Sequence, residues 1–352
     1  HANQSRIHQF DMNDKNNCMY SPDVISFARE KGYFDGVNKD FSFANAYAPL
    51  DFSARRYCEA RVWSYFNMFT ARGNEFLPYI LGDTDTPMPL FVKPDRKISV
   101  QDVKNAMRDH YEGTPLDISK DFGAGPYHTP YRLSPLSFKV GDKEYFNERP
   151  ISTQQSGFVF VAQMRSTLPD AIGGVLWFGT DDANMTVFTP VYCCTDKVPV
   201  CYSRVDGADY ITFSWNSSLW IFNWVSNMVY PRYDLMIGDV RATQNELETT
   251  FNEAQEGIES AAAKLLEKDP AKAKAFLTNY TNMTAQSAFD TWKRLGEFII
   301  VKYNDGVVRK MKDGKFERNA IGQPAGVVRP GYPKEFLEEY VKQTGDRYKM
   351  PD

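Results

Sequence analysis

Residues 151–192 read ISTQQSGFVFVAQMRSTLPDAIGGVLWFGTDDANMTVFTPVY, and this stretch decides which fold class the sequence supports. It holds three short apolar runs, and Gly, Pro, Asp and Thr lie between them. Runs of this length, bounded by turn-forming residues, are typical of β-strands. GFVFVAQM and GGVLWFG are nearly continuous in apolar character, which predicts strands buried on both faces. The wider segment from Tyr127 to about Phe213 has the same texture and is predicted to be a block of strands.

Helical patterns precede the strand block. They predict helices over residues 21–32, 52–70 and 99–113. In the second helix, the apolar residues fall on one stripe with helical spacing, and its members are Ala54, Tyr57, Cys58, Val62, Phe66 and Phe69. Ser99 and Asp102 predict an acidic variant of the capping box at the start of the third helix.

Helical patterns also follow the strand block. They predict helices over residues 217–230, 246–268 and 271–296 and a short helix from Pro333. Lys-Asp-Pro at 268–270 separates the two longest of these helices, which are predicted to form a helical hairpin. Helices, then strands, then helices favour an α+β arrangement of layers over a βαβ alternation.

The composition excludes several classes of function. A formal charge of −4 and a pI near 5.7 argue against a nucleic-acid surface, because phosphate binding needs clustered Lys and Arg. No apolar run approaches the roughly 18 residues of a membrane span. The five cysteines lack CxxC spacing and the four histidines are scattered, so no metal site is expected. We interpret the cysteines as buried core thiols.

Three segments together carry a resemblance to a known family. They are HANQSRI at the start, YAPLDFSARRYCEARVWSYF at 47–66, and the strand block at 151–192. In this combination the sequence resembles the C69 family of cysteine dipeptidases, which are N-terminal nucleophile hydrolases related to secernins. The resemblance implies the second half of a four-layer αββα sandwich followed by a helical C-terminal extension. It also implies hydrolysis of dipeptides with neither a metal nor an organic cofactor.

The resemblance also suggests how the chain is organised. Residues 1–215 would form the C-terminal part of the hydrolase domain, 216–302 a helical extension, and 303–352 a tail with a short helix. In the family the nucleophile is an N-terminal cysteine, and a HANQ-type stretch lies far downstream of it. We therefore expect the partners of this chain to be a small peptide substrate and an N-terminal segment of the same enzyme. The isolated chain is expected to be inactive and to expose an apolar sheet edge or face.

Other partners and the compartment are less constrained. Neither a nucleic acid nor a membrane span is expected, and association into a homo-oligomer stays open. The compartment is unknown from the sequence, although the resemblance favours a periplasmic or secreted protein over a cytoplasmic one.

The resemblance assigns roles to two residues, Asn3 and Arg56. Asn3 corresponds to the oxyanion-hole Asn of the wider superfamily, and a side-chain amide is a suitable donor to a tetrahedral oxyanion. Arg56, in an R-[FY] context with Tyr57, matches an Arg that lies near the nucleophile in relatives. Arg61 falls inside the apolar stripe and is interpreted as structural, with a carboxylate or backbone carbonyls as partners. Residues 1–10 are predicted to form a strand that places Asn3 at the rim of a cleft.

Simpler interpretations stay open beside these. Asn3 could cap a turn and Arg56 could be a surface residue. Asp181 and Asp182 are interpreted as a turn, since no spacing supports a catalytic pair. Two rival functions also remain: an acylase or bile-salt-type amidase of the same superfamily, and a non-catalytic binding or accessory module.

Overall fold

The computed structural model describes residues 2–351, which fall into two compact units. The first comprises the residues up to Asp102 together with Gly113–Leu116 and Arg132–Ile151. The second comprises Val103–Glu112, Asp117–Tyr131 and the residues from Ser152 onward. Helices and small antiparallel sheets occur together, so the predicted α+β class is confirmed.

The first unit consists of short helices and one β-hairpin. Its elements are α1 (Val24–Glu30), α2 (Phe43–Tyr47), α3 (Phe52–Ala54), α4 (Ala60–Phe69), α5 (Leu77–Leu81), β1 (Ser137–Val140) and β2 (Lys143–Phe146). A π-helical turn, Arg55–Glu59, joins α3 to α4. The buried side chains of Val24, Ile25, Ala28, Phe41 and Ala46 form a small core around α1 and α2.

The predicted strand over residues 1–10 is wrong for the residues that the structure describes. His1 lies outside them, and residues 2–10 have no regular secondary structure. The carbonyls of Ile7 and His8 instead accept the backbone N–H groups of Ala44 and Phe43, at 3.0 and 2.9 Å. The first N–H groups of a helix have no acceptor within the helix itself. Residues 7 and 8 are therefore held by the start of α2 and not by a neighbouring strand.

The predicted 52–70 helix is present, but its buried face differs from the predicted stripe. The π-turn adds one residue to a helical turn and so shifts every later residue around the axis. As a result, Trp63, Ser64 and Phe69 are buried, whereas Val62 and Phe66 are only half-buried.

Two other helices of the N-terminal half are shorter than predicted. The first begins at Val24, because Ser21 Oγ bonds the Asp23 carboxylate and caps no backbone N–H. The helix predicted over 99–113 is α6 (Val100–Ala106). The Ser99–Asp102 capping box is confirmed: the Ser99 N–H donates to Asp102 over 2.8 Å, and the Asp102 N–H donates to Ser99 Oγ over 3.1 Å.

The second unit contains the predicted strands and the long helices. Besides most of α6, its helices are α7 (Asp170–Gly173), α8 (Ser218–Val229), α9 (Tyr233–Leu266), α10 (Pro270–Tyr303) and α11 (Lys334–Thr344). Its strands are β3 (Phe158–Met164), β4 (Gly174–Thr180), β5 (Thr189–Tyr192), β6 (Val308–Arg309), β7 (Met311–Lys312), β8 (Lys315–Phe316) and β9 (Val327–Val328).

The strand block forms a three-stranded antiparallel sheet in the order β3-β4-β5. Trp177 of β4 pairs with Val161 of β3 and with Pro190 of β5. Burial of β3 on both faces was a wrong prediction. Val159 and Val161 are buried, whereas Phe158, Phe160 and Met164 are exposed, as period-two alternation requires of a strand covered on one face. Of the predicted apolar sheet edge or face, β3 thus shows an apolar face.

The helical hairpin was predicted correctly at its turn but not at its outer ends. Asp269 caps α10 by accepting the N–H groups of Ala271 and Lys272, both at 3.1 Å. The other end of α9 lies at Tyr233 instead of Glu246, and α10 continues past Gly296. Ring stacking of Phe222 on Trp292, with centroids 4.8 Å apart, fastens α8 to α10.

Candidate active site

Asn3 lies on the first unit in direct contact with Arg61 of α4. Arg61 Nη2 donates to Asn3 Oδ1 over 2.8 Å, and Arg61 Nε donates to the Tyr57 carbonyl over 2.7 Å. The expectation that Arg61 finds backbone carbonyls is confirmed. The side-chain bond to Asn3 was not predicted.

This contact determines which way the Asn3 amide faces. A guanidinium carries only donors, so the atom that faces Arg61 must be the amide oxygen. The amide NH₂ group therefore points away from Arg61 and can donate elsewhere. Asn3 is exposed and has a left-handed backbone (φ 57°), a conformation that Asn tolerates better than most residues.

Arg56 lies in the π-turn, and its guanidinium carbon is 5.6 Å from the centroid of the Phe52 ring. Its Nη1 atom is buried and has no acceptor among residues 2–351. Arg61, and not Arg56, is the arginine that contacts Asn3.

A cavity of about 300 Å³ opens beside this segment, starting two residues after Asn3. Its charged and polar lining residues include Arg6, His8, Arg55, Glu59, Tyr79 and Asp85. All belong to the first unit. The cavity thus lies between the N-terminal segment and the π-turn that contains Arg56.

Arg6 and Glu59 form a buried ion pair at one wall of the cavity. Arg6 Nη1 donates to Glu59 Oε2, and Arg6 Nη2 donates to the Pro89 carbonyl. The other carboxylate oxygen of Glu59 is buried without a protein donor, and so is Arg6 Nε without an acceptor, within the described part of the chain. A buried polar atom that lacks a hydrogen-bond partner costs free energy, and a ligand that bonded it would recover part of that cost.

Arg55 borders the same cavity and is held differently. Its Nη2 donates to Asp85, whose side chain is 94% exposed, and its Nη1 donates to the Thr84 carbonyl over 3.1 Å. The guanidinium lies over the ring of Tyr79, 4.7 Å from the centroid. Burial, and then the Glu59 carboxylate, raise the pKa of Tyr79, so its hydroxyl stays protonated.

Sequence reasoning assigned no role at the site to Arg6, Arg55 or Glu59. Glu59 gave a weak signal, because it is a carboxylate inside a helix otherwise rich in apolar residues. Glu59 is the last residue of the π-turn, and its side chain is buried there. Arg6 and Arg55 carried no comparable signal.

Asp181 and Asp182 do form a turn, as interpreted, but both side chains are buried in the second unit. Asp181 accepts from Asn223 Nδ2 and Ser226 Oγ of α8, both at 2.9 Å. Asp182 accepts from Ser152 Oγ at 2.6 Å and from the Tyr230 hydroxyl. The bonds of Asp181 attach the end of β4 to α8, and those of Asp182 attach it to Ser152 and to Tyr230 just after α8. Both aspartates thus have a structural role.

The five cysteines are all free. Cys58 and Cys201 are buried, but Cys193 is exposed, so the prediction that all are core thiols is wrong at that position. Burial raises the pKa of the Cys201 thiol to about 12 and also raises that of Cys194, which works against a thiolate at either residue.

Two kinds of feature, a metal-binding cluster and a membrane-spanning helix, are absent from the described residues. Within residues 2–351, no cluster of three or more His, Cys, Asp or Glu side chains could hold a metal ion. In the same residues, every helix is too short or too polar to cross a membrane.

Comparison with known proteins gives consistent matches. The model of peptidase family C69 matches residues 1–246. A probable dipeptidase of Salmonella dublin is 33% identical over 191 residues, covering 54% of this chain and 38% of the relative. The probable dipeptidase B of Lactococcus lactis is 24% identical over 277 residues, covering 76% of this chain and 50% of the relative. Dipeptidase A of Lactobacillus helveticus is 23% identical over 221 residues, covering 62% of this chain and 40% of the relative. The chain thus spans half or less of the length of these relatives.

Proposed function

Because this chain belongs to peptidase family C69, we propose that it forms part of an enzyme that hydrolyses dipeptides. The names of its relatives, dipeptidase or probable dipeptidase, support this substrate. The finer proposal is that the enzyme is a cysteine N-terminal nucleophile hydrolase. In it, the three-stranded sheet of the second unit would belong to the αββα sandwich.

The proposed reaction uses an N-terminal cysteine from outside these 352 residues. Its thiolate attacks the peptide carbonyl carbon, which forms a C–S bond and moves negative charge onto the carbonyl oxygen. The C–N bond then breaks, and the leaving amine takes a proton from the α-ammonium group of the cysteine. Water hydrolyses the resulting thioester and releases the free thiol.

Asn3 would stabilise the oxyanion in this scheme. The observation that carries the proposal is the bond from Arg61 to Asn3 Oδ1, because it leaves the amide NH₂ oriented away from the protein partner and ready to donate. A preorganised neutral donor stabilises an oxyanion because it needs no reorganisation as the charge develops.

Arg56 would assist the nucleophile in the same scheme. Its buried Nη1 atom, without a protein acceptor in the described residues, retains the capacity to donate. A guanidinium near the thiol would favour the thiolate by lowering the pKa of the cysteine.

The proposal is tested in the complete enzyme with Asn3→Ala. Removing one oxyanion donor should lower kcat by about 10²–10³-fold with little change in KM. Asn16→Ala is the matched control, since Asn16 is exposed in the same unit and should leave both constants unchanged. A loss confined to KM would mean that Asn3 binds the ground state and would contradict the oxyanion role.

A second measurement addresses the source of the nucleophile. We expect the purified 352-residue chain to hydrolyse no dipeptide at an enzymatic rate. Ordinary turnover by this chain alone would place the nucleophile inside it and refute the assignment.

A further inference from the structure

We propose that the cavity bordered by Arg6, Arg55 and Glu59 recognises the two charged ends of a free dipeptide. Glu59 would accept the α-ammonium group, and Arg55 would bind the terminal carboxylate. This inference rests on the proposed function and deepens it, since it names the residues that would distinguish a dipeptide from a longer or acylated substrate.

Glu59 provides the negative side of the cavity. It is 1% exposed, and only one of its two carboxylate oxygens is used, by Arg6. The buried Oε1 atom without a donor is the acceptor that an ammonium group would satisfy. A charge-assisted bond of this kind is about twice as strong as a neutral one, so it would reward a free amino terminus.

Arg55 provides the positive side. Its ion pair is with Asp85, whose side chain is 94% exposed whereas that of Arg55 is 16% exposed, so water competes for the carboxylate and weakens the pair. A substrate carboxylate can therefore replace Asp85 at small cost. The Tyr79 ring holds the guanidinium plane, and the Arg55 Nε atom is buried without an acceptor in the described chain, so a donor is available.

Arg6 is less suited to the carboxylate than Arg55. Its charge is already balanced by Glu59 inside the protein, and its Nη2 atom is bonded to the Pro89 carbonyl. Arg6 would instead hold Glu59 in place. Within the described residues, Glu59 Oε1 and Arg55 Nε therefore lack protein partners at the same cavity, and this acceptor and this donor match the two ends of a zwitterion.

Size and polarity favour a small charged ligand over an acyl chain. A cavity of about 300 Å³ is at the lower limit of small-molecule pockets. Its lining includes two arginines and two carboxylates beside apolar residues such as Leu50, Met88 and Leu90, so charged groups lie within reach of a ligand of this size. The small volume argues against a long acyl chain, and so against the rival acylase or bile-salt-type amidase at this cavity.

Binding to the 352-residue chain tests the inference without turnover. Dissociation constants are measured by calorimetry or saturation-transfer NMR for L-alanyl-L-alanine, its N-acetyl derivative, its C-terminal amide and N-octanoylglycine. The free dipeptide should bind about tenfold or more tightly than either blocked form, because each block removes one charge-assisted bond. Equal affinity for free and blocked dipeptides, or tighter binding of N-octanoylglycine, would overturn the proposal.

Two variants assign the ends. Arg55→Gln should weaken binding of the free dipeptide but not of the C-terminal amide. Glu59→Gln should weaken binding of the free dipeptide but not of the N-acetyl derivative. Arg72→Gln is the control, because Arg72 forms an exposed ion pair with Glu75 in the same unit. If Glu59→Gln fails to fold through loss of its pair with Arg6, the Arg55 comparison still decides. A preference for the free carboxylate that persists in Arg55→Gln would contradict the assignment.

Failure of this inference and failure of the proposed function give different results. Unchanged kcat in Asn3→Ala refutes the oxyanion role but leaves the preference for free ends intact. If the wild-type chain shows no preference for the free dipeptide, end recognition is refuted, but the lowered kcat of Asn3→Ala still supports the oxyanion role.

Discussion

Arg61 donates from Nη2 to the amide oxygen of Asn3 over 2.8 Å and from Nε to the Tyr57 carbonyl of its own helix. The side chain that was interpreted as structural is therefore the one that orients the proposed oxyanion donor. The helix supplies a rigid support, since Arg61 lies in α4 and is half-buried there.

Arg61→Gln should lower kcat of the complete enzyme by about tenfold to a hundredfold, because the Asn3 amide loses its fixed orientation. The decisive measurement is the double variant. If Arg61 acts through Asn3, Asn3→Ala combined with Arg61→Gln should be no slower than Asn3→Ala alone. Additive losses in kcat would show that Arg61 affects turnover independently of Asn3 and would contradict the orienting role.

Asp181→Asn should change how stability depends on pH. Burial, and then the neighbouring Asp182, raise the pKa of Asp181 to about 7 from an ordinary 3.8, against hydrogen bonds from Asn223 and Ser226. Between these two values the folded state binds more protons than the unfolded state. The wild-type protein therefore loses stability from this residue as pH rises from about 4 to 7.

Asn at position 181 keeps the shape and the left-handed backbone (φ 69°) and removes the titration. The melting temperature of Asp181→Asn relative to wild type should rise across this pH range. Asp313→Asn is the matched control, since Asp313 also has a positive φ but is exposed. A constant difference in melting temperature between pH 4 and 7 would contradict a raised pKa.

Lys104→Met should show the opposite pH dependence. Lys104 is fully buried, its Nζ lies 3.5 Å from the centroid of the Trp177 ring, and burial lowers its pKa to about 7 from 10.5. The unfolded state binds more protons between these values, so wild-type stability from this residue rises with pH from about 7 to 10.5.

Met fills a similar volume without a charge, so the advantage of Lys104→Met over wild type should be largest below pH 7 and should shrink above it. Melting curves between pH 6 and 10 measure this difference. Lys268→Met, at an exposed position, serves as the control. A difference in melting temperature that stays constant between pH 6 and 10 would mean that Lys104 titrates near its ordinary value and would contradict the prediction.

The sequence predicted correctly those features that depend only on residues close to each other in the chain. The turn at Asp269-Pro270 and the capping box of Ser99 and Asp102 depend on neighbouring residues only, and both were predicted correctly. The start of α9 was missed because six of the twelve residues between Tyr233 and Glu246 are polar and interrupt the apolar period. The core-facing position of Gln244 is filled by a polar side chain that bonds the carbonyls of Asn184 and Thr186.

The site was only partly predictable for a related reason. The resemblance supplied Asn3 and Arg56, but the partner of Asn3 depends on where the π-turn rotates Arg61. The burial of Glu59 depends on the same turn. A π-turn leaves no clear signal in a single sequence, since the apolar period on either side of it remains helical.

Gly296 illustrates how one residue type can indicate two structures, and it gives the last prediction. The sequence suggested that the helix ends at Gly296, but α10 continues to Tyr303. The glycine is there for close approach: a Cβ at this position would lie 2.3 Å from Cζ3 of Trp224 in α8. Gly296→Ala should therefore destabilise the second unit by about 1–3 kcal/mol, the usual cost of overpacking a core.

Gly257 is the matched control for this prediction, because it lies inside α9 and a Cβ there would meet nothing within 4 Å. Ala has the higher helix propensity, so Gly257→Ala should stabilise by about 0.5–1 kcal/mol. Denaturant unfolding of the two variants should thus move the midpoint in opposite directions. If Gly296→Ala is instead as stabilising as Gly257→Ala, the Trp224 ring has room to move, and the close packing of α8 on α10 at this point is wrong.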